Sequence, residues 1–210
     1  MKTRSKMIAL STAALMAAAP LAAPIYAQAV NGAEILNEEA LNPDASIAEN
    51  AMKVQNLTTL VEALQTAGLA EELMGEGPYT VFAPTNDAFA KLPAEQVSEL
   101  MLPENRETLR NILGAHVVRG EYTPEYIDEL LSQDDIDRDP LPAGIEIGEE
   151  DQSVTLTTVS GDMIHIRKGT GSELILRDAA SNVTTTLADN VQQSNGVLYF
   201  VDGVLMPALS

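Results

Sequence analysis

Residues 79–93 read YTVFAPTNDAFAKLP, and within this stretch the pattern changes from that of a strand to that of a helix. The β-forming side chains of residues 79–82 predict a strand, and Pro84 ends it because proline has no N–H to donate to a neighbouring strand. The Thr-Asn-Asp run at 85–87 offers side-chain acceptors for free backbone N–H groups, which favours a turn or a helix N-cap. A short apolar helix is expected to follow, and Pro93 ends it.

The composition limits the classes of protein to which the chain can belong. It has 210 residues, no cysteine and a formal net charge of −19, with 31 acidic and 12 basic residues. The lack of cysteine excludes disulfides and a lipid-modified cysteine anchor, so core packing alone holds the fold. The negative charge disfavours binding to nucleic acid or anionic lipid. It favours cations and cationic partners, or simply a solvated acidic surface.

The first 29 residues have the three parts of a secretory signal peptide. Three of the first six positions are basic, residues 7–23 are nearly all apolar, and residues 27–29 (AQA) fit the small-residue cleavage pattern. Two prolines and the Ala-rich composition disfavour the alternative of a membrane anchor. We expect cleavage after Ala29, or after Ala27, and export to a bacterial periplasm or to the medium. The mature chain would carry 9 basic and 31 acidic residues, a net charge of −22.

The rest of the chain divides into a lead-in and one domain. Residues 30–45 are polar, acidic and aperiodic, which predicts a flexible lead-in. Helical patterns dominate from Ser46: Asn56 has the position of an N-cap, and the apolar stripe after it ends at Gly68, where a helix-ending glycine belongs. Residues 46–210 are predicted to form a single α+β domain. Short β-branched runs dominate the second half and occur at 154–159, 163–167, 174–176, 183–187 and 197–201.

Three motifs occur in order along this domain. They are residues 79–93, LRNILGAHVV at 109–118 and NGVLYFVDGVLMP at 195–207. Together they resemble the fasciclin domain family, whose members share TVFAPTNxAF, LxxHVV and NGxxxxxDxVLxP segments. The resemblance extends from Ile47 to Leu209. It implies an antiparallel β-wedge with helices packed at one side, in which the first strand lies beside the closing strand.

The resemblance also implies roles for individual residues. Asn86 and Asp87 would cap and fix the turn after the first strand, and a capping side chain stabilises a helix by about 1 kcal/mol. The family commonly has a histidine where this chain has Tyr199, so no role of that histidine can be transferred. We predict a structural role for Thr85, Asn86, Asp87, His116, Asn195, Gly196 and Asp202. We expect core positions for Phe82, Phe89, Val201 and Leu205.

The sequence does not contain the usual catalytic motifs. It has no cysteine, no G-x-S-x-G, no H-E-x-x-H and no P-loop. His116 lies in an apolar Ala-His-Val-Val segment, which favours a core or backbone-bonded histidine over a catalytic base. His165 alternates with two isoleucines and is expected on the exposed face of a strand. We therefore predict no enzyme activity, no catalytic residue and no cofactor, and an esterase-like activity is the least favoured alternative.

One acidic run has the spacing of a calcium-binding loop. Asp135, Asp137, Asp139 and Glu146 match carboxylate positions of an EF-hand. Two prolines occupy positions where a glycine and a small apolar residue belong, and the residues after them resemble a strand rather than a helix. The run is therefore a weak calcium candidate, and an acidic solvated loop is the favoured alternative.

Apolar residues between positions 122 and 131 suggest a contact surface as a second kind of functional site. Tyr122, Tyr126 and Leu131 form a candidate contact patch, unless they seal a helix onto the sheet. The resemblance implies a secreted interaction or adhesion module with a protein or matrix partner at the cell surface. The alternative is a carrier of a small apolar ligand such as a carotenoid, held between sheet and helices. We expect no nucleic-acid partner and no transmembrane anchor in the mature form.

Overall fold

The computed structural model describes residues 41–75, 77–132, 144–148, 153–171, 173–187 and 190–208. The helices are α1 (Ile47–Ala51), α2 (Thr58–Ala67), α3 (Ala70–Leu73), α4 (Asn86–Ala90), α5 (Ala94–Leu100), α6 (Arg106–Gly114) and α7 (Pro124–Leu131). The strands are β1 (Tyr79–Pro84), β2 (Val117–Arg119), β3 (Ile145–Gly148), β4 (Ser153–Thr157), β5 (Met163–Lys168), β6 (Leu174–Arg177), β7 (Val183–Thr185), β8 (Val191–Gln193) and β9 (Gly196–Val201). The predicted signal peptide, residues 30–40, and Asp135, Asp137 and Asp139 lie outside the described residues.

Several helices begin and end where local side chains or a glycine satisfy the free backbone groups. Ser46 caps α1 in a capping box with Glu49, whose carboxylate accepts the Ser46 N–H at 2.9 Å. Gly68 ends α2 in the left-handed conformation at φ 72°, which confirms the predicted helix end. Thr123 caps α7 by accepting the Tyr126 N–H at 3.2 Å. These boundaries follow from short-range sequence signals.

The strands form two sheets. The first has the order β2-β1-β9-β8, and the second is an antiparallel meander of β3-β4-β5-β6-β7. Strands β1 and β9 lie side by side, as the resemblance implied, but they run parallel, with Tyr79 opposite Gly196. An isolated bridge between Val118 and Thr158 joins the first sheet to the second. The described residues thus form an α+β wedge in which the central pair of the first sheet, β1 and β9, is parallel.

The first sheet has a core on each face because side chains alternate along β1 and β9. Val81 and Phe200 are buried against the helices. Phe82 and Tyr199 are buried on the opposite face, where the second sheet and α7 pack, and their rings stack with centroids 5.4 Å apart. The predicted core residues are each 8% exposed or less, which confirms that prediction for Phe82, Phe89, Val201 and Leu205.

The last five residues of the predicted lead-in contact the domain. Asn50 of α1 donates its side-chain amide to the Asn42 carbonyl at 2.7 Å and accepts the Asn42 N–H at 3.0 Å. The Ala45 carbonyl accepts the Ser194 N–H at 3.1 Å, which brings this segment to the end of β8. Residues 41–45 are therefore held against α1 and the β8–β9 turn.

Candidate functional site

The turn after β1 is capped by Thr85. Its hydroxyl accepts the Ala88 N–H at 3.3 Å, and Thr85 is the N-cap residue of α4. Asp87 lies exposed in the first turn of this helix, where a carboxylate complements the helix dipole. The prediction that Asn86 and Asp87 cap this turn is wrong, because the residue one position earlier has the extended backbone that an N-cap requires.

Asn86 instead connects this turn to the start of α2. Its Oδ1 accepts the Thr59 N–H at 3.0 Å and the Thr58 hydroxyl at 3.2 Å, and its Nδ2 donates to the Gln55 carbonyl at 3.1 Å. The predicted N-cap at Asn56 is wrong, since residues 55–57 form a 3₁₀ turn and α2 begins at Thr58. The side chain of a distant residue therefore satisfies one of the free N–H groups at this helix start.

Asn195 connects the β8–β9 turn to two helices. Its Oδ1 accepts the Ile47 N–H at 2.9 Å, at the first residue of α1. Its Nδ2 donates to the Leu73 carbonyl at 2.8 Å and to the Gly75 carbonyl at 3.1 Å, at the end of α3. Gly196 follows at φ 146°, and a Cβ there would overlap the carbonyl of Tyr79. Only glycine allows β1 to approach the turn this closely.

His116 is 2% exposed and uses both ring nitrogens inside the domain. Nε2 accepts the Leu205 N–H at 2.8 Å, so Nδ1 carries the proton and donates it to the Ile112 carbonyl at 2.8 Å. Burial lowers the pKa of His116 to about 4, although the hydrogen bond to Ile112 and the charge of Asp178 act in the opposite direction. The neutral imidazole is thus a structural acceptor for the C-terminal segment, as predicted for a backbone-bonded histidine.

Two aspartates that the sequence analysis missed hold the same segment. Asp178 is 2% exposed, and its Oδ2 accepts the Met206 N–H at 2.7 Å while its Oδ1 accepts the Asn182 N–H at 2.7 Å. Asp162 accepts the Ala208 N–H at 3.1 Å. Residues 204–208 therefore stay in place through side-chain acceptors rather than through a strand ladder. A signal existed in the Asp178-x-x-x-Asn182 spacing, which resembles a side-chain-stabilised turn.

Asp202 belongs to the third motif, residues 195–207, and lies directly after β9. Its Oδ1 accepts the Thr185 N–H at 2.8 Å, and Lys91 donates to its Oδ2 at 2.9 Å and to its carbonyl at 2.6 Å. Burial acts to raise the pKa of Asp202, but the hydrogen bonds from Thr185 and Lys91 outweigh it and hold the pKa below its usual value. Asp202 therefore stays ionised and links β7 to the residue after α4.

The prediction that Tyr122 belongs to an exposed contact patch is wrong. Tyr122 is 6% exposed, and Tyr126 and Leu131 are partly buried against the core between α7 and the second sheet. The rings of Tyr122 and Tyr126 stack with centroids 6.1 Å apart, and the Tyr199 hydroxyl donates to the Tyr122 carbonyl at 2.8 Å. Burial raises the pKa of Tyr199 far above its usual range. These residues seal α7 onto the sheet, which was the alternative interpretation.

The calcium candidate has one member in the described part of the chain. Glu146 lies exposed on β3 opposite Thr155, in a strand where an EF-hand would begin a helix. Within the described ranges, no three His, Asp or Glu side chains come together as a metal site. A helix long and apolar enough to cross a bilayer is likewise not found among those residues.

A cleft of about 600 Å³ lies where α1, the loop after α3 and the β8–β9 turn meet. Ser46, Met74, Pro78, Glu121 and residues 193–196 contribute to its lining. This volume falls within the range of roughly 300–1,000 Å³ that is typical of ligand sites. The sequence analysis did not predict it, because its walls come from four separate segments between Ser46 and Gly196.

A second pocket is more apolar and much smaller. Leu69, Tyr79, Val117 and Val159 belong to its lining, and its volume is about 40 Å³. A drug-sized or larger apolar ligand needs several hundred Å³. This pocket therefore does not accommodate a molecule of carotenoid size in the conformation described.

Comparisons with known proteins agree with the geometry. The Fasciclin domain model matches residues 55–207. Protein sll1483 of Synechocystis is 30% identical over 210 residues, which is 100% of both chains. Pig transforming growth factor-beta-induced protein ig-h3 is 28% identical over 180 residues, which covers 85% of this chain and 22% of that protein. A FAS1 domain pair from the insect cell adhesion molecule Fasciclin I matches with a TM-score of 0.61 and 15% identity, over 80% of this chain and 52% of that one, which shows a shared fold.

Proposed function

Because the chain belongs to the fasciclin domain family, we propose that it is a secreted, non-enzymatic interaction module that contacts a protein or matrix partner at the cell surface. The observation that carries the proposal is the engagement of the motif side chains within the domain. Asn86, Asn195 and His116 hold helix ends and the C-terminal segment. With these polar groups used for the fold, the surface is left to carry the function.

Two further features support contact with a partner. The solved structure that shares this fold comes from an insect cell adhesion molecule, and the proposal extends adhesion to this chain. The predicted mature chain has 9 basic and 31 acidic residues, which favours a cationic partner. At physiological salt the charges act over roughly 8 Å, so the attraction depends on local groups at the contact.

The proposal assigns no catalytic role to the hydrogen-bonded hydroxyl and imidazole of Thr155 and His165. The Thr155 hydroxyl and His165 Nδ1 are 2.8 Å apart on neighbouring strands, and such a pair can in principle activate a nucleophile. Thr155 is 6% exposed, and the pair lies outside both the cleft and the apolar pocket. A panel of ester substrates tests this directly, and turnover that disappears in His165→Gln would contradict the non-enzymatic proposal.

The alternative proposal, a carrier of an apolar pigment, has a separate test. Amino-acid side chains do not absorb visible light, so under the interaction-module proposal the mature protein purified gently from its native host should be colourless. Visible absorbance that stays with the protein through gel filtration would favour the carrier over the interaction module.

Attachment of cells tests the interaction module itself. A clean deletion strain should lose binding to the surface or matrix that the parent strain contacts, and the secreted wild-type chain should restore it. A chain that carries Gly196→Ala serves as a misfolded control and should not restore binding. Unchanged attachment in the deletion strain would contradict the proposal.

A further inference from the structure

The β8–β9 turn contains an asparagine that is followed directly by a glycine, Asn195-Gly196. Glycine leaves its own backbone nitrogen unhindered and lets the chain bend freely, so this nitrogen can attack the side chain that precedes it. The Gly196 nitrogen bonds to Cγ of Asn195 and closes a succinimide ring, while Nδ2 leaves with the Gly196 proton as ammonia. Water then opens the ring. The product is either an aspartate or an isoaspartate, in which the main chain runs through Cγ.

The folded domain holds the reacting groups of Asn195 in place. Nδ2, the atom that would leave, donates to the Leu73 carbonyl at 2.8 Å and to the Gly75 carbonyl at 3.1 Å. Oδ1 accepts the Ile47 N–H at 2.9 Å, and the backbone carbonyl accepts the Tyr79 N–H at 3.0 Å. Ring closure brings Cγ to bonding distance of the next nitrogen, which takes the carboxamide away from these partners. The reaction therefore requires the β8–β9 turn to open.

Neither product fits the place that Asn195 leaves. An ionised carboxylate only accepts hydrogen bonds, so one oxygen keeps the Ile47 N–H while the other faces the two carbonyls near the end of α3 with no proton to donate. An isoaspartate lengthens the main chain directly before Gly196, where the Tyr79 carbonyl leaves no room even for a Cβ. A turn that opens and reacts is therefore unable to close again as before.

We propose that Asn195 is a deamidation site that the folded domain protects, and that its reaction with water inactivates the domain irreversibly. The rate is set by how often the β8–β9 turn opens, because the hydrogen bonds to α1 and to the end of α3 must break first. The working life of the domain then depends on the stability of this one turn.

Deamidation rates in the folded and unfolded chain test the protection. A second Asn-Gly pair, Asn31-Gly32, lies outside the region that the Fasciclin domain model matches and serves as a reference in the same molecule. The mature protein is incubated in mildly alkaline buffer with and without guanidinium chloride, and tandem mass spectrometry of its digest locates the deamidated residues. In guanidinium chloride both asparagines should react at rates within about threefold of each other, because glycine follows each. Without it, Asn195 should react at least about tenfold more slowly than in guanidinium chloride.

Refolding tests whether the reaction is irreversible for the fold. Protein is kept in guanidinium chloride until part of Asn195 has reacted and is then diluted into buffer, and gel filtration separates the native domain from misfolded chains. The native fraction should contain intact Asn195, and the deamidated form should be found in the misfolded fraction. Deamidated Asn31 should occur equally in both fractions, since it lies outside the matched domain.

A variant reproduces the aspartate product in every molecule. Asn195→Asp should lower the urea midpoint of unfolding, with a ratio of folded to unfolded chain at least about tenfold below that of wild type, because the new oxygen faces two carbonyls. Gln96→Glu makes the same change from amide to carboxylate at an exposed position of α5 and should leave the midpoint unchanged. If Asn195→Asp yields no folded protein, the rates and refolding fractions of the wild-type chain still decide.

Several results would overturn the proposal. Equal rates for Asn195 with and without guanidinium chloride would mean that the fold gives no protection. Reaction of Asn31 without reaction of Asn195 in the unfolded chain would mean that Asn195 is not a deamidation site. Equal shares of deamidated Asn195 in the native and misfolded fractions, or a wild-type midpoint for Asn195→Asp, would mean that the product fits the fold.

Discussion

Acid should weaken this domain through His116 before the imidazole itself becomes protonated in the fold. Nε2 accepts the Leu205 N–H, and a proton on this nitrogen would place two donors against each other. The burial that lowers the pKa to about 4 acts on the folded chain alone. The unfolded chain takes up the proton at a pKa near 6.5, the ordinary histidine value.

The sign and size of the effect follow from these two pKa values. Above pH 6.5 neither state binds the proton, so the full stability is present. As the pH falls from 6.5 towards 4 the unfolded state alone binds it, and the free energy of unfolding decreases. The difference between 6.5 and about 4 corresponds to a total of about 3 kcal/mol, of which about 2 kcal/mol is lost between pH 7 and pH 4.5.

Urea unfolding followed by far-UV circular dichroism measures this loss, since the chain has no tryptophan to report it. Carboxylates titrate in the same range, so the informative quantity is the difference in pH dependence between wild type and His116→Gln. That variant should be less stable at neutral pH and should lack about 2 kcal/mol of the acid-induced loss. His165→Gln is the matched control, because it removes an imidazole from the exposed face of β5 and keeps His116 in place.

The reasoning would be refuted if His116→Gln and wild type lost the same stability between pH 7 and pH 4.5. It would also be refuted if NMR titration placed the His116 imidazole pKa at or above 6.5 in the folded chain. Either result would mean that the ring is hydrated or that Leu205 does not donate to it.

Three other substitutions test the structural role of the motif. Asn86→Ala should lower the free energy of unfolding by about 1–2 kcal/mol in urea titrations, because the Thr59 N–H at the start of α2 loses its acceptor. A loss below about 0.3 kcal/mol would contradict a stabilising role for this hydrogen bond. Gly196→Ala should cost more than about 3 kcal/mol or prevent folding, as judged by circular dichroism and soluble yield, because its Cβ meets the Tyr79 carbonyl; a stable, native-like variant would disprove this. Lys91→Met should cost at most about 1 kcal/mol, and less at high salt, because its bond to Asp202 is largely exposed; a salt-independent loss of several kcal/mol would be inconsistent with a surface pair.

The parts of the fold that the sequence predicts are those set by neighbouring residues. Pro84 ends β1 and Gly68 ends α2, and each of these uses a backbone preference that acts within one turn. The exposed position of His165 and the buried isoleucines beside it follow from simple strand alternation.

The contacts that the sequence does not predict are long-range. Asn86 lies 27 residues from Thr59, whose N–H it accepts, and Asn195 lies 148 residues from Ile47. The local sequence pattern predicted Asn56 as the N-cap of α2, because an asparagine before an apolar stripe usually caps the helix that follows it. Tertiary structure supplied a different acceptor from the turn after β1.

The cleft beside the β8–β9 turn could not be predicted from the sequence for the same reason. Strand β8 has three residues and no apolar alternation that would mark it in the sequence, and Gln193 resembles an ordinary surface glutamine. The burial of Gln193 and the missing partners of its carboxamide appear only when β9, α1 and the loop after α3 are placed around it. The cleft therefore depends on the assembled fold.

Binding of the purified mature chain to isolated cell envelopes of its native host tests the central claim most directly. Sedimentation of labelled protein with the envelopes should show saturable binding that unlabelled protein displaces, that added salt weakens, and that urea-unfolded chain does not show. Such a result would establish a folded interaction surface with a partner at the cell surface. Binding that is absent, or that rises linearly without saturation, would contradict the account.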